Sequence, residues 1–94
     1  MANSRSSNFR VVVPPGVEKA FERIAKKDAA IHKRVEEQMV KLSKEPELGK
    51  PLRYGLKNQR RLHVGSFVIL YEICGDEVHI IDFGHHDKIY KKYR

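Results

Sequence analysis

Two groups of residues in this 94-residue chain are of types that move protons and hold anions. The first is the stretch FGHHDKIYKKY, Phe83 to Tyr93, with two adjacent histidines, one aspartate, three lysines and two tyrosines. The second is Arg61 and His63, inside the alternating run Gln59 to Val64. Imidazole titrates near pH ~6.5, so His63, His85 and His86 are suited to proton exchange near neutrality. The planar guanidinium of Arg61 matches two phosphate oxygens. Tyr90 offers a hydroxyl and a ring on which a nucleobase stacks. Side chains two apart on a strand project to one face, so Arg61 and His63 share a surface. With the tail curled over that surface, the combination suits an RNA backbone. Two other chemistries fit less well. His79, Asp82, His85, His86 and Asp87 are metal-ligand types, but structural zinc favours cysteines or wider-spaced histidine pairs, and no metal is expected. Cys74 ends an apolar run beside a turn, with no histidine next to it, and reads as a small core residue rather than a nucleophile.

The elements that must position these groups follow from periodicity. Phe9 to Val13 is a β-branched run stopped by Pro14-Pro15, which predicts a strand. Val17, Ala20, Phe21 and Ile24 recur at helical spacing. Asp28 is a suitable cap for a second helix, with Ile31, Val35, Met39 and Leu42 in one apolar stripe. Lys33, Arg34, Glu36, Glu37 and Lys41 lie on its opposite face. Pro46 and Gly49-Lys50-Pro51 end this helical hairpin. Gln59 to Val64 alternates, with Leu62 and Val64 opposite Arg61 and His63. After the turn Gly65-Ser66, Phe67 to Cys74 is nearly all apolar, which predicts a central strand buried on both faces. Gly75-Asp76 reads as a hairpin loop. In Glu77 to Phe83, Val78, Ile80 and Asp82 are expected on one side, and His79, Ile81 and Phe83 on the other. The tail from Asp87 is expected to form a short helix. The fold class is therefore α+β: an N-terminal strand, a helical hairpin, an antiparallel three-strand meander and a short C-terminal helix, with the hairpin covering one face. Residues 1–8 are expected to be loose and 9–94 to form a single domain.

Bulk properties narrow the partners. Nineteen Lys and Arg against twelve Asp and Glu give a formal charge of +7. Such an excess attracts polyanions through counterion release, with RNA or DNA as the obvious class. The longest apolar run, Phe67 to Tyr71, is far short of the roughly 20 residues that span a bilayer, so no membrane partner is expected. The start MANSRSSNF has no apolar core of a secretory signal. One cysteine forms no internal disulfide, which fits a cytoplasmic setting.

The stretch GKPLRYGLKNQRRLHVGSFVILYEI, Gly49 to Ile73, resembles the RelE/ParE superfamily of toxin–antitoxin toxins. The ending GHHDKIY, Gly84 to Tyr90, is similar to the family's close. The resemblance implies a helical hairpin on a mostly antiparallel sheet and a RelE-type activity. That activity is ribosome-dependent mRNA endonuclease cleavage without metal or small-molecule cofactor, inhibiting translation and blocked by a RelB-like antitoxin. The ParE-type alternative, on the same fold, inhibits DNA gyrase; a catalytically degenerate RNA- or antitoxin-binding member is a third reading. By resemblance, the paired basic residues of the first meander strand fall on Arg61 and His63, and the closing tyrosine on Tyr90. Two family arginines fall on Val68 and His86. Metal-free RNA cleavage needs a base for the ribose 2′-hydroxyl, a cation for the phosphoryl oxygens and an acid for the leaving 5′-oxygen. Arg61 is assigned the clamp. His63 is a second clamp or a base, His86 an acid or phosphate ligand, and Tyr90 a proton donor or stacking platform. Arg53, Lys57, His85 and Lys88 are assigned to flanking phosphates or ribosomal RNA.

Overall fold

Val11 and Val12 carry β-branched side chains that favour an extended backbone, and Arg10–Val12 forms strand β1. The computed structural model describes residues 8–52 and 58–93. Pro14 caps helix α1, Pro15–Lys27, and Pro15 occupies its first turn, where a missing N–H leaves no bond unmade. Asp28 then caps helix α2, Ala29–Lys44, its Oδ1 accepting the Ile31 N–H at 3.1 Å. Glu45 ends α2, and Pro46–Leu48 forms one 3-10 turn.

Four more strands and a helix follow: β2 (Lys50–Pro51), β3 (Gln59–Val64), β4 (Phe67–Cys74), β5 (Glu77–His85) and α3 (His86–Lys92). Gly65 and Gly75 occupy the two tight turns at positive φ, which glycine adopts without a Cβ clash. The sheet order is β1-β5-β4-β3-β2. β1 runs parallel to β5, and every other pair is antiparallel. The meander is as expected; β2 adds a short edge pair with Arg60 and Arg61, in a stretch read from sequence only as the end of the hairpin. β5 runs two residues further than expected, so α3 begins at His86.

Helices α1 and α2 cover one face of the sheet. Val17, Ile24, Val35 and Leu42 meet Val64, Ile69, Tyr71, Val78, Ile80 and Phe83 there, with Ala20, Phe21, Ile31 and Met39 packed at the margin. The charged residues Lys33, Arg34, Glu36, Glu37 and Lys41 are exposed, as the stripe predicts. The other face has a smaller apolar cluster of Val68, Leu70 and Ile89, flanked by Leu52 and Ile81. β4 is thus buried on both sides: Ile69 and Tyr71 face the helices, Val68 and Leu70 face away.

The expected facing of β5 fails halfway along it. Leu70 pairs with Asp82, but Tyr71 pairs with Ile80, so the register shifts by one residue around Ile81. A β-bulge of this kind reverses the alternation beyond it. Phe83 therefore joins Val78 and Ile80 in the main core, stacked on Phe67 at 5.3 Å and edge-on to Phe21 at 5.0 Å. Asp82 is turned out of that core. Among the described residues no helix is long and apolar enough to cross a membrane.

Candidate active site

Arg61 and His63 sit on β3 opposite Leu70 and Val68 of β4, whose side chains face away from the helical hairpin. The register puts both residues on the open face. The far end of the chain reaches the same face through α3. Ile89 is 3% exposed, seated against Val68 and Leu70, and it fixes the helix to the sheet. The His86 N–H donates to the Ser66 carbonyl at 2.9 Å, tying the start of α3 to the β3–β4 turn.

These two attachments bring residues distant in sequence into contact. The Tyr90 hydroxyl lies 2.9 Å from His63 Nε2, although the two are 27 residues apart. The Arg61 guanidinium carbon lies 5.9 Å from the centroid of the Tyr90 ring, within range of a cation–π contact. The His86 ring is 6.2 Å from the Tyr90 ring. Arg61, His63, His86 and Tyr90, four residues chosen from sequence, therefore form one group.

The Arg61 Nε is shielded from solvent and makes no hydrogen bond among the described residues. A donor in that condition loses its water without gaining a partner, which is costly unless something binds there. An anionic oxygen lodged against the guanidinium would satisfy it. The Tyr90 hydroxyl and an imidazole nitrogen share one proton between them. The pair is therefore a ready proton relay whose direction depends on the imidazole tautomer.

The remaining assigned residues divide. His85 caps α3, its Nδ1 accepting the Asp87 N–H at 3.3 Å. Its ring stacks on His86 at 4.4 Å and meets Phe67 edge-on at 5.8 Å. Lys88 is exposed on α3. Arg53 and Lys57 lie outside the described residues.

His86 Nδ1 is 3.0 Å from Asp87 Oδ1, a contact that draws the imidazole toward the carboxylate. Among the described residues, His85, His86 and Asp87 each bring a ligand atom within 4.8 Å of the others, a spacing that could hold a cation. Only three of the five candidate ligand residues, His79, Asp82, His85, His86 and Asp87, are in this group. His79 instead contacts Glu77 at 2.8 Å. Asp82 accepts from Lys92 Nζ at 2.9 Å and from the Tyr93 hydroxyl at 2.8 Å. Cys74 is exposed, not a core residue, because it ends β4 at the turn where neither layer covers it. Partial desolvation and then the neighbouring Glu72 and Glu77 push its thiol up, away from the reactive thiolate.

Two supports escaped the sequence reading. One is Asp82, hidden by the bulge. The other is Tyr71, whose hydroxyl donates to the Pro46 carbonyl at 2.7 Å and accepts the Gly49 N–H at 2.7 Å. Burial pushes this phenol above its ordinary range. A Cβ on Gly49 would come within 2.5 Å of the Arg61 carbonyl oxygen, so only glycine fits between β2 and β3. The Arg60 side chain closes the same corner by donating to the Gly49 carbonyl at 2.7 Å. A tyrosine in a nearly all-apolar strand was the available signal, because a buried phenol needs a partner.

Comparison with known proteins agrees with this architecture. The sequence model of the ParE toxin of type II toxin–antitoxin systems (parDE) matches residues 11–90. The chain is 30% identical over 87 residues to RelE4 of Methanocaldococcus jannaschii, covering 89% of this chain and 93% of that protein. The toxin–antitoxin complex RelBE2 of Mycobacterium tuberculosis superposes with a TM-score of 0.69 at 24% identity, covering 88% of this chain and 97% of that one. Free RelE of Escherichia coli superposes with a TM-score of 0.71 at 15% identity, covering 89% and 92%. At these identities the structural likeness is one of fold.

Proposed function

This chain belongs to the RelE/ParE family of toxins of type II toxin–antitoxin systems, and we propose that it is a ribosome-dependent mRNA endonuclease held in check by a RelB-like antitoxin. The observation that carries this reading is the meeting of His63 Nε2 and the Tyr90 hydroxyl at 2.9 Å beside an arginine whose Nε has no partner. Cytoplasmic action on ribosomes fits the +7 charge and the absence, among the described residues, of a membrane-crossing helix.

The chemistry follows from the groups present. The ribose 2′-oxygen attacks the adjacent phosphorus as its proton passes to a base. The O2′–P bond forms, the P–O5′ bond breaks, and an acid protonates the departing 5′-oxygen. Arg61 neutralises the charge that builds on the phosphoryl oxygens, using the donor left open at Nε. The His63–Tyr90 pair supplies one proton-transfer partner, and His86, beside Asp87, supplies the other. For His63 to accept the 2′ proton at Nε2, the Tyr90 hydroxyl must give up that nitrogen as RNA enters. His85 and Lys88 flank the site and, with Arg53 and Lys57, would contact neighbouring phosphates.

One observation favours a second reading, in which the chain inhibits DNA gyrase or binds without cleaving. Val68 stands where the resemblance places a family arginine. It is fully buried as part of the seat for Ile89, so it offers no charge to a phosphate. Expression without antitoxin, followed by mapping of ribosome-bound mRNA in the presence of EDTA, separates the readings. Cleaved message that disappears with the Arg61→Ala, His86→Ala double variant supports the nuclease. Intact message with DNA damage selects gyrase. Equal toxicity of wild type and double variant removes these residues from the mechanism.

A further inference from the structure

We propose that Asp82 is a positioning residue for Tyr90 and His86: its carboxylate is a third anchor, which fixes the far end of α3 over the open face. The inference concerns the site read above as a nuclease centre, and its catalytic consequence rests on that reading.

α3 is seven residues long, about two turns. Its single buried residue, Ile89, seats it on Val68 and Leu70. That contact and the His86 N–H bond to the Ser66 carbonyl hold the start and middle of the helix but leave its far end free to twist. Twisting would carry the Tyr90 hydroxyl away from His63, because Tyr90 is adjacent to Ile89 and points about 100° round the helix. A further attachment at the far end, on the Ile89 side, removes that freedom. On a helix, residues three and four apart share a face, so Lys92 and the adjoining Tyr93 follow Ile89 along it. Both end on Asp82 Oδ2, Lys92 Nζ at 2.9 Å and the Tyr93 hydroxyl at 2.8 Å. The other oxygen is held from the sheet side, Oδ1 accepting the Phe83 N–H at 2.8 Å. The carboxylate is thereby oriented by β5 and grips α3 at its far end.

The position of Asp82 has its own cause. Regular alternation would point it with Val78 and Ile80 into the apolar core. The register shift around Ile81 turns it to the open face instead. Bulges often re-aim one side chain near a working site. Here the re-aimed side chain is a carboxylate that meets a cation and a hydroxyl of the helix end, both close enough to bond it. Burial pushes its pKa up, but the hydrogen bonds from Lys92, Tyr93 and the Phe83 amide outweigh this and hold it below the ordinary range. The grip is therefore fully charged at neutral pH.

The test uses the full chain and has a structural arm and a kinetic arm. Asp82→Ala, and separately the surface variants Lys92→Gln and Tyr93→Phe, are compared with wild type by NMR. The expected result is loss of the His63–Tyr90 ring contact and faster amide exchange at Ile89–Lys92 in Asp82→Ala, with β3 and β4 amides unchanged. The two surface variants should show part of the same effect. In mRNA cleavage, Asp82→Ala should lower kcat by up to roughly 100-fold, the scale of a displacement of about 1 Å, with little change in KM. Adding Tyr90→Phe to Asp82→Ala should cost almost nothing further, because the two act through one group. A persisting His63–Tyr90 contact in Asp82→Ala overturns the proposal, and so does full additivity of the two substitutions. If wild type cuts no RNA, the nuclease reading fails while the NMR arm still decides the anchor.

Discussion

The two faces of the sheet solve different problems. Beneath α1 and α2, Val35, Leu42, Val64, Ile69, Tyr71 and Val78 are each at most 1% exposed, and no buried side chain there carries a charge. On the open face the apolar patch shrinks to Val68, Leu70 and Ile89. Around it stand Arg61, His63, His86 and Tyr90, with an arginine nitrogen left unbonded. The covered face is sealed by two long amphipathic helices; among the described residues the open face carries one helix, of seven residues. Stability is concentrated on one side and reactive groups on the other, so substitutions on the two faces should affect different measurements.

The largest separation is expected from Leu42→Ala. Leu42 is fully buried, and removing its side chain should cost about 2–5 kcal/mol in urea unfolding. Activity of the fraction still folded should be unchanged. Arg61→Met tests the opposite face. It keeps much of the aliphatic stem and deletes a shielded donor without a partner, so unfolding free energy should be unchanged or slightly raised. Cleavage should fall by about 100- to 1,000-fold, as when one stabilising donor is removed from a developing anion. A large stability loss in Arg61→Met would mean that the open face is structural after all.

Tyr71→Phe is expected to be smaller. It strands the Gly49 N–H and the Pro46 carbonyl, and should cost about 1–3 kcal/mol by thermal unfolding. Because Gly49 packs on the Arg61 backbone, this variant alone should also disturb the open face, seen as shifted Arg61 resonances. The smallest effect is in acid. Asp82 titrates below its ordinary value of 3.8 when folded, burial opposing and the bonds from Lys92 and Tyr93 prevailing. Its contribution is present above that ordinary value and is lost as pH falls through the folded one. Melting temperatures of wild type and Asp82→Asn should therefore converge below about pH 4; a constant gap down to pH ~2 would show that the carboxylate's charge is not what matters.

Much of the covered face was legible from residues alone. A stripe such as Ile31, Val35, Met39, Leu42 has one way to be buried, and Asp28 marks the helix start with its own side chain. The pair Arg61 and His63 was legible for the same reason, since strand alternation is local. Asp82 was misread because the bulge at Ile81 leaves no mark in the pattern: Val78 to Phe83 alternates plausibly in either register. The role of Tyr71 was missed because its partners, Pro46 and Gly49, precede it by 25 and 22 residues.

The amino-acid order by itself determined the two long helices and the three meander strands, the apolar faces of the helices and of β3, and that the surface would be strongly basic. These follow from side-chain shape, capping and periodicity, which act over a few residues. Only the tertiary structure decided that Tyr90 reaches His63, that Asp82 faces α3 rather than the core, and that Arg61 keeps an unbonded nitrogen. Each depends on strand register and helix docking, set by the packing of the whole sheet. A one-residue slip in a strand reverses every side chain beyond it.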